Sequence, residues 1–275
     1  MTVEAKVAEH YGRSGLEQTI LEALTKAGVD TDRLKASDLS GADEFHLGWR
    51  PATIELAHDL GLAEGHALLD IGSGIGGPAR YFAESCHCTV TGIDLTQDYV
   101  DVATALTARC GLTDKVSFKQ ASALALPFAD QSFDVATLIH VGMNIQDKAG
   151  LIAEARRVLR SGGQLGIYDI MKTASAELTY PMPWASTIDT SFVEPPEVYR
   201  ALLTASGFEI TAQQDRSKLA LEIGREMREK AVRDGAPPLG LHLLMGPATQ
   251  QRLGNVMAAL QQGLIAPTAI IARAV

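Results

Sequence analysis

The sequence predicts an α/β protein, a parallel sheet with helices on both faces, and two observations carry that reading. Between Ala67 and Met171 short apolar runs alternate with segments of helical period, the signature of strands joined by crossover helices. A glycine-rich turn, Gly72-Ser73-Gly74-Ile75-Gly76-Gly77, links the first apolar run to a helical stretch, as in a nucleotide-binding crevice. With 275 residues, 46% hydrophobic and 21% charged, the chain can bury a sizeable core.

The elements follow in order. Ser14-Gly15-Leu16-Glu17 has capping-box spacing, and Leu16, Ile20, Leu21 and Leu24 recur at helical intervals until Gly28. From Asp30 to Arg50 the text is polar and irregular; Pro51 then opens a helix over Ala52–Leu60 that Gly61 ends. Strands are expected at Ala67–Ile71, Thr89–Asp94, Val116–Gln120, Val135–His140 and Gln164–Met171. Helices are expected at Gly77–Glu84, Asp98–Cys110 and Gly150–Arg160. Residues 172–196, with Tyr180-Pro181-Met182-Pro183-Trp184, form an insertion too long to be an idle connection. A helix up to Ala205, a strand at Phe208–Ala212, helical stretches near Leu219–Arg233 and Ala248–Gln262 and a strand at Thr268–Val275 complete the chain. This divides it into an N-terminal helical cover, residues 1–61, and a domain over 62–275.

Composition narrows the function. The net charge of −9 and the lack of any Lys/Arg run argue against a nucleic-acid partner. No apolar stretch approaches the ~20 residues of a membrane span, and the N-terminus has no signal-peptide pattern, so a cytoplasmic protein is expected. Cys86, Cys88 and Cys110 make no disulfide framework, and Cys86-His87-Cys88 has no second ligand pair, so no metal site is expected. One of the paired thiols should face the core.

The glycine turn fits two patterns, G-x-G-x-x-G at Gly72, Gly74 and Gly77, and D-x-G-x-G-x-G at Asp70, Gly72, Gly74 and Gly76. Asp70 discriminates between them. A carboxylate at the strand end would repel a pyrophosphate, but it attracts the ammonium and sulfonium of S-adenosylmethionine (SAM). Asp94, ending the next strand, can accept hydrogen bonds from both hydroxyls of a ribose.

From Ala67 to Met171 the chain resembles a class I SAM-dependent methyltransferase, on LLDIGSGIGG, GIDLT, ALALPFADQSFDVATLIH and EARRVLRSGGQLGIYDIM. The resemblance implies a Rossmann-like seven-stranded sheet with its last strand antiparallel. It also implies SAM as methyl donor, with Asp70, Gly72, Ser73, Gly74, Gly76, Asp94, Leu95, Ser122, Ala123 and His140 around it. The stretch Glu44 to Thr53, the pattern after Asp147-Lys148, and Val198-Tyr199-Arg200 are similar to small-molecule enzymes, the sarcosine/dimethylglycine and phosphoethanolamine N-methyltransferases. The ubiquinone-biosynthesis C-methyltransferases share the central portion. Phe45, His46, Trp49, Trp184, Tyr199 and Arg200 are accordingly expected at the acceptor, with 45–49 and 180–184 closing over it.

The chain departs from those relatives at three places. Ala121-Ser122-Ala123 offers the adenine only the Ser122 hydroxyl. Asn144 stands where the relatives place a histidine, so their Tyr–His pairing does not transfer. Trp49 replaces a glycine and fills space near the methyl donor. His140, at the edge of the fourth strand, is the expected base, titrating near neutrality, with Asn144 and Tyr11 as polar neighbours. The expected partner is a small-molecule acceptor carrying an amine, hydroxyl or carbon nucleophile; homodimerisation stays open. Two other readings remain: a SAM-binding regulatory subunit without catalysis, and an NAD(P)-dependent oxidoreductase, which Asp70 and the missing Tyr-x-x-x-Lys disfavour.

Overall fold

A computed structural model describes residues 2–12 and 15–275. Seven strands form one sheet: β1 (Ala67–Ile71), β2 (Thr89–Asp94), β3 (Val116–Gln120), β4 (Phe133–Ile139), β5 (Leu159–Lys172), β6 (Phe208–Asp215) and β7 (Ile265–Ala274). Their order is β3-β2-β1-β4-β5-β7-β6, and β7 alone runs antiparallel to its neighbours β5 and β6. The order reverses between β1 and β4, so their carboxyl ends open the crevice where ligands bind in such sheets.

The period-2 alternation of β1 explains how two layers form. Leu69 and Ile71 join the core under α7 (Lys148–Val158) and α8 (Pro196–Ala205). Leu68 joins the opposite core, with Leu56, Leu60 and Phe82, under α4 (Trp49–Asp59) and α5 (Gly77–Cys86). Asp70 and Thr137 belong to the face of Leu68 and Val135, and they are register partners across β1 and β4. Cys88 also lies in that second core.

Helix α6 (Gln97–Arg109) crosses from β2 to β3; the other helices lie toward the N-terminus, α1 (Val3–Tyr11), α2 (Leu16–Lys26) and α3 (Ser40–Asp43), or form the C-terminal flank, α9 (Ser217–Asp234), α10 (His242–Met245) and α11 (Thr249–Gln261). Leu16, Ile20 and Leu24 of α2 are buried against Val102 and Leu106 of α6, each side chain worth roughly 1.5–3 kcal/mol of burial. Arg216, before α9, reaches Glu55 and Asp59 of α4 and so ties the C-terminal flank to the cover.

Several boundaries differ from the sequence reading, and the expected Ser14 cap lies outside the described residues. Helix α1 was not anticipated; the Thr2 hydroxyl accepts the Ala5 N–H, and Val3, Val7 and Tyr11 share one stripe. Helix α4 starts at Trp49, two residues before Pro51, which the first turn accommodates because its N–H groups lack helical partners anyway. Strand β4 ends at Ile139, and His140 turns into the left-handed region at φ 53°. Residues 172–196 hold a 3-10 turn at Ile188–Thr190 and a bridge between Met182 and Ala185.

Candidate active site

The glycine turn and two carboxylates meet at the carboxyl ends of β1 and β2. Gly72 has φ 75°, and a Cβ there would lie 2.3 Å from Val141 Cγ2, so only glycine lets the turn pass the loop after β4. The N–H groups of Gly72 and Ser73 both donate to the Ile93 carbonyl, which leaves the turn open toward the crevice. Asp94 Oδ2 accepts the Gly74 N–H and Oδ1 the Thr96 N–H, both at 2.9 Å. Burial raises the Asp94 pKa despite those donors.

Asp70 is held differently. Thr137 Oγ1 donates to its Oδ1 at 2.8 Å, while Oδ2 is buried without a partner, as is the nearby Ser73 Oγ. Burial pushes the Asp70 carboxyl up to about 7, with the charges of Glu44 and Asp94 acting in the same direction. A buried carboxylate with an idle oxygen is costly by itself and is relieved by a cation. This donor set therefore fits the cationic amino-acid end of SAM and a ribose, and it does not fit a pyrophosphate.

A second cluster stands at the end of β4. The His140 ring stacks on Tyr168 with centroids 5.1 Å apart and meets the edge of His46 at 5.7 Å. His140 Nε2 is buried and unpartnered, and burial together with the charge of His46 holds its pKa well below the usual value. His46 is fully engaged: Nε2 bonds Glu44 Oε2 at 2.8 Å and Nδ1 lies 3.3 Å from the Leu47 carbonyl. Glu44 also accepts the Thr53 hydroxyl at 2.6 Å and pairs with Arg50. Against the upward push of burial, these donors hold Glu44 below the usual carboxylate range.

Both clusters line one cavity of about 400 Å³. It brings together Asp70, Gly72, Ser73, Gly74, Asp94, Leu95, Ser122, Ala123 and His140, and beyond them Phe45, His46, Trp49, Trp184, Tyr11 and Asn144. Among the described residues no Lys or Arg lines it; its charged lining groups are Glu4, Asp43, Asp70, Asp94 and Asp147. Apolar side chains from both ends of the chain, including Val7 and Val256, close it.

Three expected contacts lie elsewhere. Gly76 serves close packing: a Cβ there would sit 2.6 Å from Phe118 Cζ. Tyr199 is fully buried beneath the loop after β4 and donates to Asp169 Oδ2 at 2.6 Å, because its helical phase faces the core. Arg200, one position on, is exposed and bonds Glu197 and Gln213. Two more are present but committed. Tyr11 donates to Asn144 Oδ1 at 3.0 Å, and the Asn144 amide donates to the Trp184 and Thr190 carbonyls. Burial also pushes the Tyr11 ionisation up, and the pair joins α1 to the loop after β4 and to the carbonyls of Trp184 and Thr190. The titration of His140 near neutrality is likewise displaced downward by its burial.

The sequence reading missed Thr137, Glu44 and α1. Thr137 was legible in principle, since it falls at the register position opposite Asp70 on an inward face. Glu44 was quoted only as part of a motif; its carboxylate gains its role through Arg50 and Thr53, six and nine positions away on α4. Helix α1 contributes Val3, Glu4, Val7 and Tyr11 to the lining. The i, i+4, i+8 spacing of Val3, Val7 and Tyr11 is a readable helical signal.

A family model for a methyltransferase domain matches residues 69–167. The chain is similar to the methyltransferase GfsG of Streptomyces halstedii, 32% identical over 184 residues that cover 66% of each chain. It spans only 31% of the length of a sterol 24-C-methyltransferase of Gibberella zeae that it also matches. In fold it resembles the geranyl diphosphate C-methyltransferase of Streptomyces coelicolor, solved with Mg²⁺, a thiolodiphosphate and S-adenosyl-L-homocysteine. That likeness has a TM-score of 0.72 at 15% identity, over 100% of this chain and 99% of the other. A sarcosine dimethylglycine methyltransferase structure from Galdieria sulphuraria is similar with a TM-score of 0.65 at 19% identity, over 81% and 85% of the two chains.

Proposed function

We propose that this chain, a member of the class I SAM-dependent methyltransferases, transfers a methyl group to a small, uncharged and largely apolar acceptor inside the cavity. The observation that carries this reading is the lining: no Lys or Arg among the described residues, and apolar side chains interleaved with neutral polar and acidic ones. Anionic acceptors such as diphosphates would find no Lys or Arg among the described lining residues to hold them. The volume and the closure by both ends of the chain suit a small molecule and not a polymer.

SAM, when bound, supplies a methyl group already activated by its positive sulfur. The chain's own residues supply the rest. Asp94 and the Gly72–Gly74 turn would hold the ribose side, and Asp70 Oδ2 with Ser73 Oγ would face the cationic amino-acid end. Helix α1, residues 45–49 and residues 180–184 form the cover that excludes water, joined through Tyr11, Asn144 and the Trp184 carbonyl. Holding nucleophile and methyl in line at ~3–3.5 Å is the main source of acceleration in such a closed site. His140, kept neutral by its surroundings, takes the acceptor's proton, an assistance worth ~10²–10⁴ in rate.

The test is transfer from methyl-tritiated SAM into a cell extract that is then fractionated by mass and charge. Label in the low-mass, uncharged fraction is expected. Label confined to protein or nucleic acid, or to anionic metabolites, overturns the reading. Binding of SAM without transfer to any fraction would favour the regulatory alternative.

A further inference from the structure

Among the described residues Trp49 and His140 are two of the four non-glycine residues with positive φ, at 44° and 53°, and both line the cavity. Backbone strain of this kind costs on the order of 1–3 kcal/mol and persists where the surroundings impose it, commonly at ligand sites. Each residue also carries a buried ring nitrogen without a partner, Trp49 Nε1 and His140 Nε2. They are neighbours through His46, whose carbonyl accepts the Trp49 backbone N–H and whose ring edge meets His140. Gly48 keeps the backbone against this aromatic group, since a Cβ there would lie 3.2 Å from the Tyr168 hydroxyl. The fold thus places one obligate donor and one proton acceptor, both desolvated and both idle, beside the same cavity.

We propose that Trp49 and His140 together read a hydroxyl group on the acceptor, and that the protein is an O-methyltransferase; this rests on the small-molecule reading above. The argument is a count of donors and lone pairs. A hydroxyl has one proton and two lone pairs. The proton points at His140, one lone pair accepts from the Trp49 indole N–H, and the second remains to attack. A neutral amine has a single lone pair, which cannot both accept from Trp49 and attack. An ammonium has none, so it can neither accept from Trp49 nor attack. An alkene carbon nucleophile offers no partner to either nitrogen and would leave both unsatisfied, at ~1–3 kcal/mol each in the mutational range. In the step, the acceptor oxygen forms the O–C bond as the bond between methyl carbon and sulfur breaks, and the electron pair of that bond stays on sulfur. The hydroxyl proton passes to His140, and the product is a methyl ether.

Two measurements test it. The first takes the labelled low-mass product from the extract and heats it with hydriodic acid under conditions that cleave methyl ethers. Release of the label as methyl iodide is expected. Label that survives, as N-methyl or C-methyl, overturns the hydroxyl assignment and leaves small-molecule methyl transfer standing; no label in the low-mass fraction removes both. The second uses Trp49→Phe, which keeps the ring and loses the N–H. For transfer to that product, kcat/KM should fall at least tenfold, with calorimetric affinity for S-adenosylhomocysteine changed less than twofold and an unaltered far-ultraviolet spectrum. Unchanged kcat/KM overturns the role of Trp49, and so does a parallel loss of S-adenosylhomocysteine affinity, which would make it a cofactor contact.

Discussion

Thr137 donates to one oxygen of Asp70 at 2.8 Å across the two central strands, and the other oxygen of that carboxylate is buried with nothing to accept. The pair shares one inward face at one register position, so its geometry is set by the sheet itself. A carboxylate held this way responds to a cation more strongly than an exposed one, because little water competes for it.

Proton release should therefore accompany SAM binding. In the unliganded fold burial raises the Asp70 pKa to about 7, so the group is largely protonated at pH 6 and largely ionised at pH 8. The bound cation favours the ionised form, and affinity should rise about tenfold between those values and level off above them. Calorimetry at pH 6 in buffers of different ionisation enthalpy should detect nearly one proton released, and almost none at pH 8. Without ligand the sign for stability is opposite. A raised pKa stabilises below the unfolded value of about 4, and that contribution is lost as pH climbs through about 7.

Asp94→Asn should weaken S-adenosylhomocysteine binding by at least ~30-fold, the equivalent of ~2 kcal/mol. The substitution preserves shape while removing the charge from bonds worth ~1.5–3 kcal/mol each. An unchanged calorimetric Kd would remove Asp94 from the ribose site.

His140→Asn tests the base with a residue that tolerates the left-handed region. It should lower kcat by ~100-fold or more while S-adenosylhomocysteine affinity stays nearly constant. Because burial holds His140 well below its ordinary pKa, its ionisation should shape the wild-type rate only on the acid side of pH 6.5. The rate should be flat on that limb from pH 7 upward. The same lowered pKa means that the fold loses stability as pH falls below about 6.5, where the unfolded histidine gains its proton and the buried one does not. A fall in kcat of only a few-fold would leave positioning as the whole source of rate.

Tyr11→Phe removes the bond from α1 to Asn144 and leaves the ring in place. The expected outcome is a several-fold rise in acceptor KM with a smaller change in kcat, measured under saturating SAM. Limited proteolysis should also show α1 cut faster than in wild type. If neither moves, the cover is held by apolar packing alone.

Arg80→Met addresses the fold. Arg80 and Asp43 form an ion pair of two fully buried side chains at 2.8 Å, and Arg80 also reaches the Ile75 carbonyl at 2.7 Å and Thr107 at 3.0 Å. Removing one partner leaves a buried charge uncompensated, at about 3–5 kcal/mol, and Tm should drop on the order of 10 °C. Arg80→Met combined with Asp43→Leu should recover part of the loss. A single variant as stable as wild type would show that Asp43 simply takes up a proton.

By itself the sequence determined the sheet and the cofactor class. The alternation from Ala67 to Met171, the glycine turn, Asp70 and Asp94 are local features; each depends on period, turn chemistry or charge within a few residues, and each was readable there. Short-range patterns also located the insertion over residues 172–196. They misplaced Tyr199 and Arg200, because a motif shared with relatives does not fix which side of α8 faces the core.

Only the tertiary structure decided which polar groups have partners. Tyr11 meets Asn144 across 133 positions and Arg80 meets Asp43 across 37, and those bonds tie the two polar neighbours expected beside His140 to each other and install a buried ion pair. Trp49 and His140 stay idle because the same packing that buries their nitrogens supplies nothing to bond them. Periodicity reports the face on which a side chain lies. Whether its donor or acceptor is satisfied depends on which distant segment the folded chain brings to it, and desolvation then sets the cost of leaving it unpaired.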